Sequence, residues 1–391
     1  MNVLDGTALQ GKNVLLRSDL NLSLEDGNPV PDLRFKTYME TLQELSDRGA
    51  RVVVMAHQGR PGRDDFTSLE QHAELAAKHL DHEVAFIESL FGAELGSTLD
   101  GMEDSEIAFM ENVRFLSEEL EVQPPGDHAK SIFVNWAAPH FDIYVNDAFS
   151  AAHRSHASLV GFAPVMESYA GPVMEQELAS CEKARDSVEN PVLVLGGEKA
   201  ADLVKMLERM GDRADRILLG GIPGEIALHL EGVSLGDKWD WIEENDFDEK
   251  VDAFRDVLDR YEDKVVLPED AVTDSGTVPV DDVPDSGMTW DIGEKTQDRF
   301  VSIIRDAESV VMKGPMGAYE QGHEDGTVAI LDAITDCDGY TVLGGGHTSS
   351  LVERFGYQVD DFSHVSIAGG AFVRYMSGED LVVVDALEQY S

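Results

Sequence analysis

The chain has 391 residues, enough for two or three domains with cores of their own, which rules out a peptide ligand or a small disulfide-stapled module. Its 76 acidic and 30 basic side chains give a formal charge of −46, yet 42% of residues are hydrophobic and gather into runs, so a folded protein with an acidic skin is expected rather than a disordered one. Such a skin speaks against nucleic acid and anionic membranes as partners, and its self-repulsion is tolerable where molar salt shortens the screening length to about 3 Å.

In chain order, apolar runs at 13–16, 51–55, 84–87, 106–110 and 143–145 predict strands. Between them the spacing turns helical. Tyr38, Met39, Leu42 and Leu45 share a face over 35–48, and a helix over 68–79 is expected with Ser68 as its N-cap. Residues 175–188 read as one helix through Leu178, Cys181, Ala184 and Val188, after which Pro191 starts a second series of strands at 192–195, 216–219, 264–267, 309–312, 340–343 and 365–368. The acidic stretch 237–263 reads as a solvated helical region with one buried face. Strands alternating with helices predict α/β architecture: two similar-sized Rossmann-like three-layer domains with mainly parallel sheets, residues 1–170 and 190–379, joined by a hinge helix at 171–189. Cys181 and Cys337 form no CxxC pair and are expected as free thiols in a reducing compartment. With no basic leader and no apolar run near the ~20 residues that span a bilayer, a cytoplasmic protein is expected.

Ligands of open α/β sheets bind at the carboxyl ends of strands. The groups that follow the first series there are Arg17, Asp19 and Asn21, then His57, Gln58, Gly59 and Arg60, then Arg114, then His153, Arg154 and His156; Arg34 joins them. Singly, each arginine reads as a surface ion-pair partner and each histidine as a structural residue. As a group placed after strands they predict a pocket for a small phosphorylated acid, because guanidinium forks match phosphate and carboxylate. In the second series five apolar runs end in glycine, at 196–197, 220–221, 314, 344–346 and 369–370, which predicts a nucleotide site where the backbone can approach phosphate. Neither a Walker A sequence nor GxGxxG is present, which sets aside P-loop ATPases and dinucleotide dehydrogenases.

The segments RSDLN (17–21), PDLRFKT (31–37), HQGRP (57–61), ENVRF (111–115), NDAFSAAHRSH (146–156), LGGEKAAD (195–202), DIGEKT (291–296), KGPMGAYE (313–320) and GGGHTSS (344–350), in this order, resemble those of the phosphoglycerate kinases over nearly the whole chain. The resemblance implies reversible phosphoryl transfer from 1,3-bisphosphoglycerate to ADP, by domain closure and without a general base, in a mostly monomeric family that uses Mg²⁺ with the nucleotide. It implies that Asp19, Asn21, Arg34, His57, Arg60, Arg114 and Arg154 hold the phosphoglycerate, in a first domain completed by the tail 380–391. Arg34, Lys199, Gly369 and Gly370 would serve the transferred group. Lys199, Gly220, Gly221, Lys313, Glu320, Gly344, Gly345, Gly346, His347 and Thr348 would hold the nucleotide. Four positions depart from the family pattern: His347 replaces an aspartate, Lys313 an asparagine, Leu203 a lysine, and 366–370 read SIAGG. With His347 in place, the metal ligands stay open. Two other classes fit the same clefts, a hinged binding protein or metabolite sensor and a small-molecule kinase with another acid acceptor.

Overall fold

Two six-stranded sheets, every strand parallel to its neighbours, carry the fold, with helices on both sides. The computed structural model describes residues 1–390 and, within them, every side chain except that of His347; Ser391, the end of the expected tail, also lies outside the described residues. The chain divides into a first unit, Met1–Ala179 with Asp380–Ser391, and a second, Ser180–Glu379.

In the first unit the strands are β1 (Asn13–Arg17), β4 (Arg51–Met55), β5 (Val84–Ile87), β6 (Ile107–Met110), β7 (Ile143–Asn146) and β8 (Ser168–Ala170), and a small antiparallel hairpin, β2 (Leu24–Glu25) and β3 (Asn28–Pro29), stands apart. The sheet order is β5-β6-β4-β1-β7-β8. Val14, Leu15 and Leu16 of β1 are wholly buried, as both faces of a parallel sheet are covered, and this is why such strands read as unbroken apolar runs. Helix Leu33–Asp47 starts where the Asp32 carboxylate caps the Phe35 N–H at 2.9 Å, and it buries Phe35, Tyr38, Met39, Leu42 and Leu45. On one side of the sheet Leu15, Val53 and Met55 join Phe133, Tyr144 and Phe162 in one core, where the Tyr144 and Phe162 rings stack 5.2 Å apart.

The second unit has β9 (Val192–Leu195), β10 (Arg216–Leu219), β11 (Val265–Val266), β15 (Ser309–Lys313), β16 (Tyr340–Gly344) and β17 (His364–Val365) in the order β11-β10-β9-β15-β16-β17. A three-stranded antiparallel sheet, β13-β12-β14, is formed by β12 (Asp270–Thr273), β13 (Gly276–Pro279) and β14 (Thr289–Ile292). The acidic stretch folds into helices Asp237–Glu244 and Val251–Arg260, which bury Ile242, Phe254 and Val257. The connecting helix runs Pro172–Glu182 and widens into a π-helical turn over Lys183–Ser187, so the expected single helix over 175–188 changes hydrogen-bond register partway.

Some expectations are corrected. Ser68 is not the N-cap residue of its helix, which runs Glu70–Ala76 after Leu69; its hydroxyl accepts the Glu70 N–H at 3.2 Å from one residue further out while donating to Glu111 at 2.8 Å. The strand expected at 365–368 shrinks to two residues, because β17 is an edge that pairs with β16 through His364 and Val365 before the chain turns. The last helix, Val382–Gln389, packs against helix Ala157–Val160 and β8, and its Val383 N–H donates to the Ala152 carbonyl at 3.1 Å.

Candidate active site

In each unit the chain reverses direction across the sheet beside its central strand, β1 or β9, and the crevice beyond the strand carboxyl ends there is the natural ligand site. In the first unit Asn21, His57, Gly59, Arg60, Arg63, Arg114 and Arg154 line a cavity of about 500 Å³, with Asp64 and Asp65 also on its wall. Asp19 and Arg34 lie beside it. Arg34 Nη1 sits 3.5 Å from the Asp19 carboxylate and donates to the Asn21 carbonyl at 3.0 Å, while His57 Nδ1 is 3.8 Å from Asp19. All seven residues expected to hold phosphoglycerate are therefore brought together.

The loops are fixed from beneath. The Asn21 side-chain oxygen accepts the Gly59 N–H at 2.8 Å, and Gly59 is left-handed with no room for a Cβ against the Asp65 and Phe66 backbone. Gln58 exchanges two hydrogen bonds with the Leu22 backbone, and Asn112 ties Gln58 to Thr67 while accepting from the Arg114 N–H. Arg17, 1% exposed, donates to the Ser158 hydroxyl at 2.8 Å and touches His57 at 3.1 Å, so it supports the cavity wall rather than lining it.

Burial alone would push Asp19 up, but Arg34, His57, the Ser150 hydroxyl and Arg17 outweigh it and hold the carboxyl below its ordinary range. The cations show the opposite strain. Burial first, then Arg154 and Arg17, bring Arg114 down to about 10; burial with its cationic neighbours lowers Arg154; burial and the surrounding arginines, with Asp19 opposing, lower His57 well below its ordinary value; and burial with the arginines brings His156 down to about 3. Crowded, partly desolvated guanidinium groups are relieved by a bound anion. Arg63 escapes a search of strand ends, because it stands in the turn after HQGRP.

Beneath the Gln58 loop His72 is buried and hydrogen-bonded to Gln58 Oε1 at 3.1 Å, and burial lowers it to about 4. Because the folded value lies below the unfolded one, its contribution to stability is complete above pH ~6.5 and is lost as pH falls toward 4, about 3 kcal/mol in all. His72→Phe is expected to flatten that acid limb in a denaturation series from pH 7 to 4; an unchanged slope would show that His72 titrates normally.

In the second unit the glycine turns meet backbone to backbone. A Cβ on Gly314 would fall on the Gly196 carbonyl, and one on Gly221 would lie 2.8 Å from the Gly197 nitrogen. Gly197, Gly221 and Glu320 line a mostly apolar cavity of about 280 Å³, walled by Trp241, Trp290, Leu228 and Met316 and reached by Glu225 and Lys238. Gly220 packs its Cα against Met316 beside this cavity. Lys313 and Gly344 close β15 and β16, and Lys199, Gly345, Gly346, Thr348, Gly369 and Gly370 follow β9, β16 and β17; none of these lines it. Thr348 Oγ1 accepts the Gly314 N–H at 2.9 Å, the Gly345 N–H donates to Ala368, and Gly369 approaches Gly346, so Gly344–Thr348 and Gly369–Gly370 form one adjoining turn cluster. Lys313 is depressed by burial and then by Lys199, with Asp202 opposing, which places both lysines in one electrostatic neighbourhood. Leu203 is buried in the core, and Lys205 pairs with Glu379 at 2.8 Å, away from the turns. Lys238 and Trp241 fall in the stretch that reads as a solvated helix, yet both face the cavity; an ammonium and an indole one turn apart in an acidic helix are the signal the sequence offers.

Two α/β units with parallel sheets, one carrying an arginine-lined cavity and the other glycine turns with Lys199 and Lys313 nearby, fit the class of phosphotransferases. A family model described as phosphoglycerate kinase matches residues 4–379. The phosphoglycerate kinase of Halorubrum lacusprofundi is 43% identical over 96% of this chain and 95% of its own length, and that of Haloarcula marismortui 40% identical over 97% of each. The crystal structure of phosphoglycerate kinase from Pyrococcus horikoshii superposes with a TM-score of 0.94 at 32% identity, covering 100% of this chain and 99% of that one. The chain belongs to the phosphoglycerate kinase family, the glycolytic phosphotransferases that interconvert 1,3-bisphosphoglycerate and ADP with 3-phosphoglycerate and ATP.

Proposed function

We propose that the arginine cavity of the first unit holds 3-phosphoglycerate or 1,3-bisphosphoglycerate and that the glycine turns of the second hold ADP or ATP. The observation that carries this reading is the set of Arg60, Arg63, Arg114 and Arg154 around one cavity in a protein of charge −46, since only a local cationic pocket attracts an anion to such a molecule. His57, Asn21 and Asp19 orient the acid, and Arg34 reaches toward the migrating phosphoryl group. In the second unit Gly221 and Glu320 flank the nucleoside cavity, and Lys199, Lys313 and the turns at Gly345–Thr348 and Gly369–Gly370 meet the phosphates.

Both nucleophiles, a carboxylate and a diphosphate oxygen, are already ionised, so the chemistry asks for positioning and charge stabilisation rather than a base. Transfer requires the two ligands to be brought together, and excluding water at that moment limits loss of ATP to hydrolysis. Among the described residues no three His, Cys, Asp or Glu side chains cluster in a metal-binding arrangement, and Asp202 is the carboxylate that acts on Lys313. This suits Mg²⁺ arriving as part of the nucleotide substrate, since Mg²⁺ is commonly held by phosphates, water and one or two carboxylates. No helix among the described residues is long and apolar enough to cross a membrane; we place the protein in the cytoplasm, as a monomer.

A coupled assay is expected to show ATP consumption that depends on both 3-phosphoglycerate and Mg²⁺, strongest in molar KCl and weak in dilute buffer. A folded sample silent in high salt would overturn the reading in favour of a binding-only relative.

A further inference from the structure

The nucleoside cavity has a charged feature that an apolar slot does not need. Glu225 on helix Gly221–Leu230, Lys238 on helix Asp237–Glu244 and Thr289 on β14 meet at its wall. The Thr289 hydroxyl donates to Glu225 Oε1, and Lys238 Nζ donates to the Thr289 carbonyl at 3.1 Å while lying 4.7 Å above the Trp241 ring. Glu225 Oε2 is buried, with the Lys238 ammonium 3.4 Å away as its partner and acceptor capacity to spare. A buried carboxylate oxygen left with acceptor capacity calls for a donor. Burial raises the Glu225 carboxyl above its ordinary value, and the Lys238 ammonium and then the Thr289 hydroxyl offset part of that rise.

We propose that Glu225 is a specificity-determining residue for the nucleobase, its Oε2 accepting a hydrogen bond from the exocyclic amine of adenine, with Lys238 as the residue that positions it. This rests on the reading that the cavity holds the base of the nucleotide. The complement follows from the donor count. Adenine offers an amine at C6, whereas hypoxanthine offers a carbonyl oxygen there, and purine offers only hydrogen.

Steady-state kinetics in molar KCl would compare ATP, ITP and purine riboside triphosphate with the unaltered enzyme, so that one arm depends on no variant folding. Hydrogen bonds to charged groups predict a preference for ATP over either analogue of about tenfold or more in kcat/KM. Glu225→Gln keeps the shape and adds an amide donor; it is expected to abolish the preference for ATP over the 6-unsubstituted analogue and to favour ITP. A purely structural role for Glu225 would lower stability without changing these ratios.

Tryptophan fluorescence separates the two readings. A quench by ATP that is lost in Trp241→Phe or Trp290→Phe is expected if the base enters the cavity. Absence of any such quench would overturn the cavity assignment and this proposal with it. A quench accompanied by equal kcat/KM for all three nucleotides in the unaltered enzyme would overturn the proposal alone.

Discussion

Arg34→Ala is expected to lower kcat by about 10²- to 10³-fold while leaving ATP affinity within about twofold. The side chain leaves the first turn of helix Leu33–Asp47, whose start is fixed by the Asp32 cap, and its Nη1 is steered by the Asn21 carbonyl at 3.0 Å and Asp19 at 3.5 Å. A guanidinium held this way is oriented before substrate arrives, so its stabilisation of the migrating group costs little reorganisation. Its loss also removes the strongest of the cations that hold Asp19 ionised. Arg34→Lys keeps the charge but not the planar fork, and partial recovery is expected. Kinetics at saturating substrates with separate ATP titration would decide the matter: unchanged kcat, or an equal fall in ATP affinity, would remove Arg34 from the transfer step.

Gly314→Ala is expected to weaken ATP binding by more than about tenfold and to destabilise the second unit by about 2 kcal/mol or more. Gly314 has φ +79°, and the space a methyl group would occupy is taken by the Gly196 carbonyl, with Gly197 N at 2.7 Å. The same residue donates its N–H to Thr348, so displacement would reach the turn after β16. Gly232→Ala is the control, since Gly232 has φ +93° with nothing within 4 Å of the position its methyl group would take, and it tests left-handed backbone strain alone. Calorimetric titration and thermal melts of the two variants would show equal ATP affinities if the close approach of the turns did not matter.

The parallel strands are legible in the sequence because both faces of each sheet are covered, so β1, β4, β9, β10 and β15 appear as unbroken apolar runs with a site residue or glycine at the end. The antiparallel sheet is not. Its strands carry Asp270, Thr273, Thr277, Pro279 and Asp291, and much of β13 is exposed, so no face keeps an apolar period long enough to read. β8 is three residues long and holds Tyr169 between Ser168 and Ala170, too little to separate from a loop.

The site divides in a similar way. The positions of Arg60, Arg114 and Arg154 relative to strand ends foretell a shared cavity, because a parallel sheet aligns those ends. Arg63 reaches the same cavity from within a turn, and Glu225 and Lys238 reach theirs from helix faces, so their convergence depends on packing between segments far apart in sequence. The helix after Ser68 starts one residue late for a similar reason, since Glu111, distant in the chain, binds both the Ser68 hydroxyl and the Leu69 N–H.

Because helix Val382–Gln389 belongs to the first unit, that unit is built from two segments separated in the chain by the whole of the second. During synthesis the whole of Ser180–Glu379 leaves the ribosome before the first unit has all of its parts, although it begins later in the chain. Until Val383, Ala386 and Leu387 emerge, the surface they cover on helix Ala157–Val160 and β8 stays open to water and to chaperones. The order of completion is thus the reverse of the order in which the two units begin, and a chain arrested with Glu379 outside the ribosome but Val382–Gln389 still inside it would display one finished unit and one still awaiting its last helix.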